Sequence, residues 1–296
     1  MTTMSNILRH KDKPALLIGN GINMHGGGDT SSWDDLLDTL AKHQGLSLSE
    51  QERAEMSNTE FFDVLDLAKP LEDRRTLQTQ FCDLMETWRP TEHHARIAGW
   101  ARRYRRPIVT VNFDENLSRS LDAELFRPKR RFTDFYPWNS YFADHEINQP
   151  RHEFAIWHAH GMMKYRRSIR LGLTHYMGSV QRARSWVYNI EDSLRAQIRK
   201  GSTQWRGSDT WLDVLFFCPI LIFGFTFGKD ENLLRWLFLE RAKLHKILSE
   251  PSAKTWFVEK ENENSQSRRV FFERLGVEFV TVKSYEEIYE DEAWGL

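Results

Sequence analysis

ALLIGNGIN, residues 15–23, combines two signals from which the architecture can be inferred. Its first half, Ala15–Ile18, is a run of four apolar residues, which is typical of a strand covered on both faces, as in a parallel sheet. The run ends abruptly in Gly-Asn-Gly at 19–21, where two glycines permit a tight turn and a close approach of the backbone to a phosphate or a ribose. The standard dinucleotide fingerprint has a third glycine where this chain has Met24, so an ordinary strand-to-helix turn stays open as the alternative.

Further apolar runs along the chain predict the other strands of the same sheet. Helical segments separate them, and this alternation favours an α/β fold with a Rossmann-like, mostly parallel sheet and helices on both faces. The predicted strands after the first are Ile108–Val111, Ala155–Trp157, Ile220–Phe223, Thr255–Val258 and Val277–Val282. The predicted helices are Trp33–His43, two or three within Ser49–Trp88, Thr91–Tyr104, Thr174–Arg199, Asp230–Leu248 and Ser284–Glu290.

The domain organisation is predicted to be a single domain over residues 1–296. Two stretches are longer than a minimal wound sheet needs, at about residues 44–105 and 162–217, and both have a mostly helical pattern. We expect them to be helical insertions at an edge of the sheet or over its carboxyl end, where ligands bind in such folds.

The composition narrows the class of protein. Charged residues make up 28% of the 296 residues, the mean hydropathy is −0.59 and the net charge is −1, so nothing points to a membrane or, globally, to nucleic acid. No apolar run approaches the roughly 20 residues of a membrane-spanning helix. The two cysteines, Cys82 and Cys218, form no CxxC pair and cannot build a zinc site, and a cytoplasmic location is expected.

Polar residues follow the predicted strands at the edge where ligands bind. Asn112 and Asp114 follow the second strand, and Glu259 lies at the end of the fifth. Asp114 has an alternative role as the cap of the helix that follows it. The glycine-bearing turn after the fourth strand contains Gly224, Phe225 and Thr226. Jointly these strand ends outline one site.

Two histidines follow the third strand, His158 and His160. A His-Gly step at the carboxyl end of a strand suits a base that faces a cleft. Two histidines separated by one residue also occur as metal ligands, but no third ligand is evident nearby in the sequence, so no metal is predicted.

The segments LLIGNGIN, TVNFDENL, HAHG and ILIFGFTFGKDENL stand in the order found in the sirtuin-like family, and the chain resembles its bacterial branch without a zinc module. The resemblance implies a Rossmann-type domain that binds NAD, with Asn112 and His160 as catalytic residues. It places Asp114 beside the nicotinamide riboside. The residues implied to lie against the rest of NAD are Gly19, Asn20, Gly21, Asn23, Gly224, Phe225 and Thr226, and we add Glu259 as a contact of the adenosine ribose.

The chain also departs from the protein-deacylating sirtuins. Those proteins hold a four-cysteine zinc module between the His-Gly strand and the next strand, whereas the corresponding segment here, Met162–Pro219, contains a single cysteine, Cys218. No zinc is therefore expected, and the acyl-lysine groove that the module helps to support is not expected to form in the same way.

The resemblance implies an NAD hydrolase that yields nicotinamide and ADP-ribose and acts as an antiphage defence effector. It also implies a homo-oligomer and a HerA-type ATPase as partner. A protein deacylase or ADP-ribosyltransferase, or a non-catalytic module that binds NAD or ADP-ribose, are the alternatives. Direct binding of nucleic acid rests only on the arginine clusters Arg102–Arg106, Arg127–Arg131 and Arg166–Arg170, which a solvated charged face also explains.

Overall fold

The computed structural model describes residues 3–26, 30–68, 76–128, 136–228, 231–248, 253–263 and 266–295. Within these ranges, eight strands form one sheet with the order β3-β4-β5-β2-β1-β6-β7-β8. The strands are β1 Ala15–Ile18, β2 Ile108–Thr110, β3 Glu124–Phe126, β4 Tyr141–Ala143, β5 Ile156–His158, β6 Ile220–Phe223, β7 Thr255–Lys260 and β8 Val277–Val282.

Strand order changes direction at β1. This strand pairs in parallel with β2 on one side and with β6 on the other, so that Leu16 lies opposite both Ile108 and Leu221. The six parallel strands have the order of a doubly wound dinucleotide-binding sheet, whose ligand crevice opens at the carboxyl ends where the order reverses. The predicted α/β, mostly parallel fold is confirmed, and β3 and β4 extend it as an antiparallel edge that the sequence pattern did not reveal.

The helices lie between the strands along the chain. The α-helices are α1 Met4–Arg9, α2 Gly21–Met24, α3 Trp33–His43, α4 Glu50–Glu55, α5 Asn58–Ala68, α6 Leu77–Leu84, α7 Glu92–Arg103, α8 Asn116–Arg119, α9 Leu173–Arg184, α10 Leu194–Arg199, α11 Trp211–Phe217, α12 Asn232–His245, α13 Gln266–Arg274 and α14 Glu286–Tyr289. Short 3-10 turns occupy Met163–Ser168, Glu261–Glu263 and Glu292–Gly295, and a π-helical turn occupies Ser185–Asn189.

The single long helix predicted over Thr174–Arg199 is wrong. It is divided into α9, the π-helical turn and α10. The Oγ atom of Ser193 accepts a hydrogen bond from the backbone N–H of Ala196, and this cap starts a new helix. Asp230, with which the predicted helix Asp230–Leu248 begins, lies outside the described residues.

Both faces of the sheet are covered, as its uninterrupted apolar runs predict. Alternate residues of each strand enter opposite apolar layers: Ala15 and Leu17 belong to one, Leu16 and Ile18 to the other. The first layer is completed by side chains of α9 to α13, and the second by side chains of α1, α7, α8, α14 and the last 3-10 turn. Among the described residues, no helix is both long and apolar enough to cross a bilayer.

A third apolar cluster joins α3, α5 and α6 into a unit that we call the helical cap. The cap packs on the sheet edge through Phe113, which follows β2, and through Ile169 and Leu171. The start of α3 is fixed by a reciprocal cap in which Ser32 Oγ accepts from the backbone N–H of Asp35, and Asp35 accepts from that of Ser32. This cap sets the position of Trp33, the first residue of α3.

Gly19→Ala should destabilise the fold, because a Cβ atom at Gly19 would lie 2.3 Å from Cβ of Phe225 and 2.7 Å from the carbonyl oxygen of Gly224. Such overpacking lowers the free energy of unfolding by about 1–3 kcal/mol or more. Urea-induced unfolding measures the change. Gly99→Ala, inside α7, is the matched control: its Cβ meets nothing within 4 Å, and we expect stabilisation by roughly 0.5–1 kcal/mol. Equal stability of the two variants would contradict the proposed close contact.

Candidate functional site

A crevice opens over the carboxyl ends of β1 and β6, the point where strand order reverses. It consists of two adjoining cavities of about 300 Å³ and about 560 Å³, which we call the inner and the outer lobe. Both volumes lie within the range of small-molecule pockets, about 300–1,000 Å³. The lobes share the residues Gly21, Met24, Ser32, Gly224, Phe225 and Thr226. The predicted glycine turns after β1 and β6 therefore lie at the centre of the crevice.

The two glycine turns touch each other. The backbone N–H of Gly21 donates to the carbonyl of Gly224 at 2.6 Å, and that of Gly19 donates to Phe223 at 3.0 Å. A Cβ atom on Gly21 would lie 2.5 Å from the hydroxyl oxygen of Tyr289. Gly224 has a φ of +81°, which side-chain-bearing residues rarely adopt. The glycines are thus required for packing between the turns, in addition to any role toward a ligand.

Asn23 lies behind the crevice at the centre of a buried polar network. Its amide nitrogen donates to Asp114 at 2.7 Å, and its amide oxygen accepts from His94 Nε2 and from Asn116 Nδ2, both at 3.0 Å. Asp114 also accepts from the backbone N–H of Asn116 at the start of α8, so the alternative helix-capping role is present. Burial raises the pKa of Asp114. Both predicted cofactor contacts are therefore engaged with protein groups.

Asn20 is the other amide of the turn, and it lines the inner lobe. Its side-chain nitrogen donates to the carbonyl of Ser31, and its side-chain oxygen accepts from Asn23. The turn is thereby tied to the start of the helical cap.

Thr110 and His158 are partners in the pairing of β2 with β5. Asn112 lies two residues after Thr110, and His160 lies two residues after His158. Asn112 is 2% exposed; its amide nitrogen donates to the carbonyl of Gly19 at 3.3 Å, and its Oδ1 has no hydrogen-bond partner among the described residues. His160 has no exposed surface, and its Nδ1 is likewise buried without a partner in the described chain. Other buried side-chain atoms of the described chain also lack a partner, among them Oδ1 of Asn116 and Nε2 of His158, but Asn112 and His160 stand at the strand ends beside the crevice, where an unpaired polar atom fits a catalytic role.

The other ring nitrogen of His160 is engaged by a carboxylate. Nε2 lies 2.7 Å from Oε2 of Glu231, which immediately precedes α12 and lines the inner lobe. The imidazole packs edge-on against Tyr176, with ring centroids 5.3 Å apart, and 6.2 Å from the ring of Trp33. His160 is therefore not itself among the residues that line the inner lobe, whereas its neighbours Glu231, Tyr176 and Trp33 are.

His158 has a different environment from His160. Its Nδ1 donates to the backbone carbonyl of Asn112 at 2.8 Å, and burial lowers its pKa. The two histidines thus contact separate partners. Over the described ranges, no three His, Cys, Asp or Glu side chains are grouped to hold a metal ion.

Glu259 lines the outer lobe, and its carboxylate is already paired. Oε2 accepts from Arg268 and Oε1 from Arg269, both at 2.6 Å, and Arg268 also donates to the carbonyl of Thr226 at 2.8 Å. Arg268 therefore ties the turn after β6 to the end of β7. A ribose hydroxyl at Glu259 would have to share the carboxylate with both guanidinium groups.

Several residues that line the inner lobe were not predicted from the sequence. Trp33 comes from α3, Tyr176 from α9 and Glu231 from the start of α12. Arg170 also lines this lobe, where its Nε donates to Ser179 and its guanidinium lies 4.8 Å from the Tyr136 ring centroid. These residues are far apart in sequence. Trp33 begins a predicted helix and Glu231 lies in the segment ILIFGFTFGKDENL, but neither pattern marks these side chains as part of a site.

The arginine clusters are largely used within the protein. Arg102 forms an ion pair with Asp144, and Arg166 contacts Asp83 and Glu86. Residues 129–131 of the middle cluster lie outside the described residues. The described part of these clusters therefore fits the interpretation of a charge-balanced surface.

Neither a scan against protein-family models nor a search of the curated proteins gives a match to this chain.

His94→Gln should weaken the dependence of stability on pH. Nδ1 of His94 accepts from the backbone N–H of Thr91 while Nε2 donates to Asn23, and burial lowers the pKa to about 3. An unfolded histidine titrates near pH 6.5. The folded state therefore binds fewer protons between these values, and the histidine contributes stability that is present above pH 6.5 and declines as the pH falls.

We expect His94 to lower the free energy of unfolding of the parent protein by about 1.4 kcal/mol for each pH unit below pH 6. Urea unfolding at pH 7, 6 and 5 measures the slope, which should be shallower by this amount in His94→Gln. His145→Gln, at an exposed histidine, is the control. An unchanged slope in His94→Gln would show that this histidine is not held neutral.

Proposed function

We propose that the protein hydrolyses NAD to nicotinamide and ADP-ribose in the crevice between the turns after β1 and β6. The observation that carries this proposal is the pair of unpaired buried atoms, Asn112 Oδ1 and His160 Nδ1, at the ends of adjacent strands. A carboxamide and an imidazole next to a dinucleotide-type crevice are the groups needed to position and deprotonate a nucleophile.

The fit of NAD to the crevice supports the proposal. A doubly wound sheet binds dinucleotides across the point where strand order reverses, and both lobes open there. The adenosine half is assigned to the outer lobe, beside Thr226 and Glu259. The nicotinamide riboside is assigned to the inner lobe, whose aromatic wall contains Trp33 and Tyr176.

The chemistry follows from the substrate. NAD is an activated glycoside, because nicotinamide leaves as a neutral group while the ribosyl C1′ takes on oxocarbenium character. His160 supplies the basic group of the site, and the Asn112 amide positions the nucleophile. Asp114 lies one layer behind this centre, where it fixes Asn23 and the start of α8.

Water is the proposed acceptor. The chain lacks the cysteines of the module that helps to support an acyl-lysine groove, and the helical cap contributes Leu37, Asn58 and Phe81 to the wall of the inner lobe. Water needs no such groove, which favours it over a protein side chain as the acceptor.

The biological role that we propose is that of a cytoplasmic antiphage effector, which depletes NAD when triggered. It works as a homo-oligomer with a HerA-type ATPase that supplies the trigger. This part rests on the resemblance to the sirtuin-like family. Exposed apolar side chains on two contacting helices, Leu67 on α5 and Leu173 and Met177 on α9, offer surface for such an assembly.

His160→Ala and Asn112→Ala should each lower the turnover of NAD by about 10²–10⁴-fold, because each removes a group that acts on the nucleophile. The purified protein is incubated with NAD, alone and with the proposed HerA-type ATPase partner, and nicotinamide and ADP-ribose are quantified by chromatography. His145→Ala, an exposed histidine, serves as control. Variants that consume NAD at the parent rate would contradict the assignments, and a product other than free ADP-ribose would favour transfer to another acceptor.

The assembly is tested by mass in solution. We expect a mass above the 35.1 kDa of one chain, and a larger complex after co-expression with the ATPase. Met177→Glu, which places a charge on the exposed face of α9, should reduce assembly, since charges are depleted at interface cores. A strict monomer under both conditions would refute the proposed assembly while leaving the hydrolysis to be judged by its own assay.

A further inference from the structure

The carboxylate of Glu231 separates His160 from the cavity. Its Oε2 lies 2.7 Å from Nε2 of the imidazole, whose side chain has no exposed surface. Glu231 itself is 14% exposed at its side chain and lines the inner lobe. A molecule in the inner lobe therefore meets the carboxylate before it meets the histidine.

The helix that follows does not need this side chain. Glu231 occupies the position before α12, yet its carboxylate makes no capping hydrogen bond to the backbone of that helix. Many acidic residues at this position exist to satisfy the first N–H groups of a helix. Here the side chain is turned to a histidine from another strand end instead, which points to a role at the site.

The contact also fixes the protons of the imidazole. An ionised carboxylate only accepts hydrogen bonds, so Nε2 of His160 carries a proton and Nδ1 holds the lone pair when the ring is neutral. Tyr176 and Trp33 pack against the ring and limit its rotation. The two residues therefore form one hydrogen-bonded unit with its acidic end at the cavity.

We propose that Glu231 is a catalytic residue and that the Glu231–His160 pair, with the carboxylate on the substrate side, accepts the proton of the nucleophile. This inference rests on the proposed NAD hydrolysis. The bond from the water oxygen to C1′ forms as one O–H bond breaks, and the proton passes to the pair and then to solvent. The bond from C1′ to the nicotinamide nitrogen breaks, and its electron pair leaves with neutral nicotinamide.

The same carboxylate stabilises the charge that develops on the ribose. Glycosidases place a carboxylate beside an oxocarbenium-like transition state for this purpose. In the inner lobe, where aromatic and aliphatic groups form much of the wall, a fixed negative charge acts more strongly than in water. A single residue can thus serve both the nucleophile and the ribosyl cation.

Glu231→Ala should lower the maximal rate of nicotinamide release by about 10²–10⁴-fold, because general-base assistance of this size is lost. The affinity for NAD, measured by calorimetry, should change by no more than a few-fold, since the residue acts in the transition state. Added formate should restore part of the rate, because a small carboxylate can occupy the space left by the side chain. Glu290→Ala is the matched control: it removes another carboxylate that contacts a histidine, His25, at 2.9 Å.

Glu231→Gln keeps the size of the side chain and shows whether the lower rate of nicotinamide release comes from the lost charge. Thermal unfolding checks that each variant is folded. A parent rate in Glu231→Ala or Glu231→Gln would overturn the inference. So would a loss that formate does not relieve, or one accompanied by loss of NAD binding. Failure of the hydrolysis itself has a different signature, since the parent protein would then release no nicotinamide.

Discussion

The close contact between the turns after β1 and β6 is the constraint on which the rest of the molecule depends. Parallel pairing of β1 with both β2 and β6 directs two neighbouring chain segments to the same edge of the sheet. The turns can meet there only because Gly19 and Gly21 carry no side chain, and because Gly224 adopts a positive φ. The crevice, with its two lobes, is the space that remains around this contact. A bulkier turn would separate the segments and disorganise the floor of both lobes.

A rigid polar layer supports this floor from behind. Asn23 holds the turn after β1 against Asp114 and His94, so residues from three segments share one set of buried hydrogen bonds. Such a network is stabilising only when its members are satisfied, and each member restricts the others. It holds the turn and the residues after β2 in one arrangement, and Asn112 lies in that stretch. Oδ1 of Asn116 and Nε2 of His158 are also buried without a partner in the described chain, so the unpaired atoms of Asn112 and His160 are set apart by their place at the strand ends beside the crevice.

Much of the fold was predictable because its signals are local. Continuous apolar runs located the six parallel strands, and β1, β6 and β8 have the predicted bounds. The edge strands β3 and β4 were missed because each has three residues and depends on pairing with a neighbour. The site was predictable only in part. The strand ends predicted that Asn112, His160 and the glycine turns lie at one edge of the sheet. The engagement of Asn23 and Glu259 by other protein groups, and the approach of Glu231 to His160, depend instead on contacts between segments distant in sequence.

Phe113 connects the helical cap directly to the residues that follow β2. It stands between Asn112 and Asp114 in the chain, and its ring is stacked on Trp33 at 4.9 Å and meets Phe81 edge-on at 5.8 Å. The side chain of Phe113 thus belongs to the core of the cap, while its backbone is part of the segment that follows β2. A displacement of α3 or α6 would be transmitted through this ring to the Asn112 amide without passing through solvent. The aromatic core of the cap and the strand end that carries Asn112 are therefore joined by one buried ring contact.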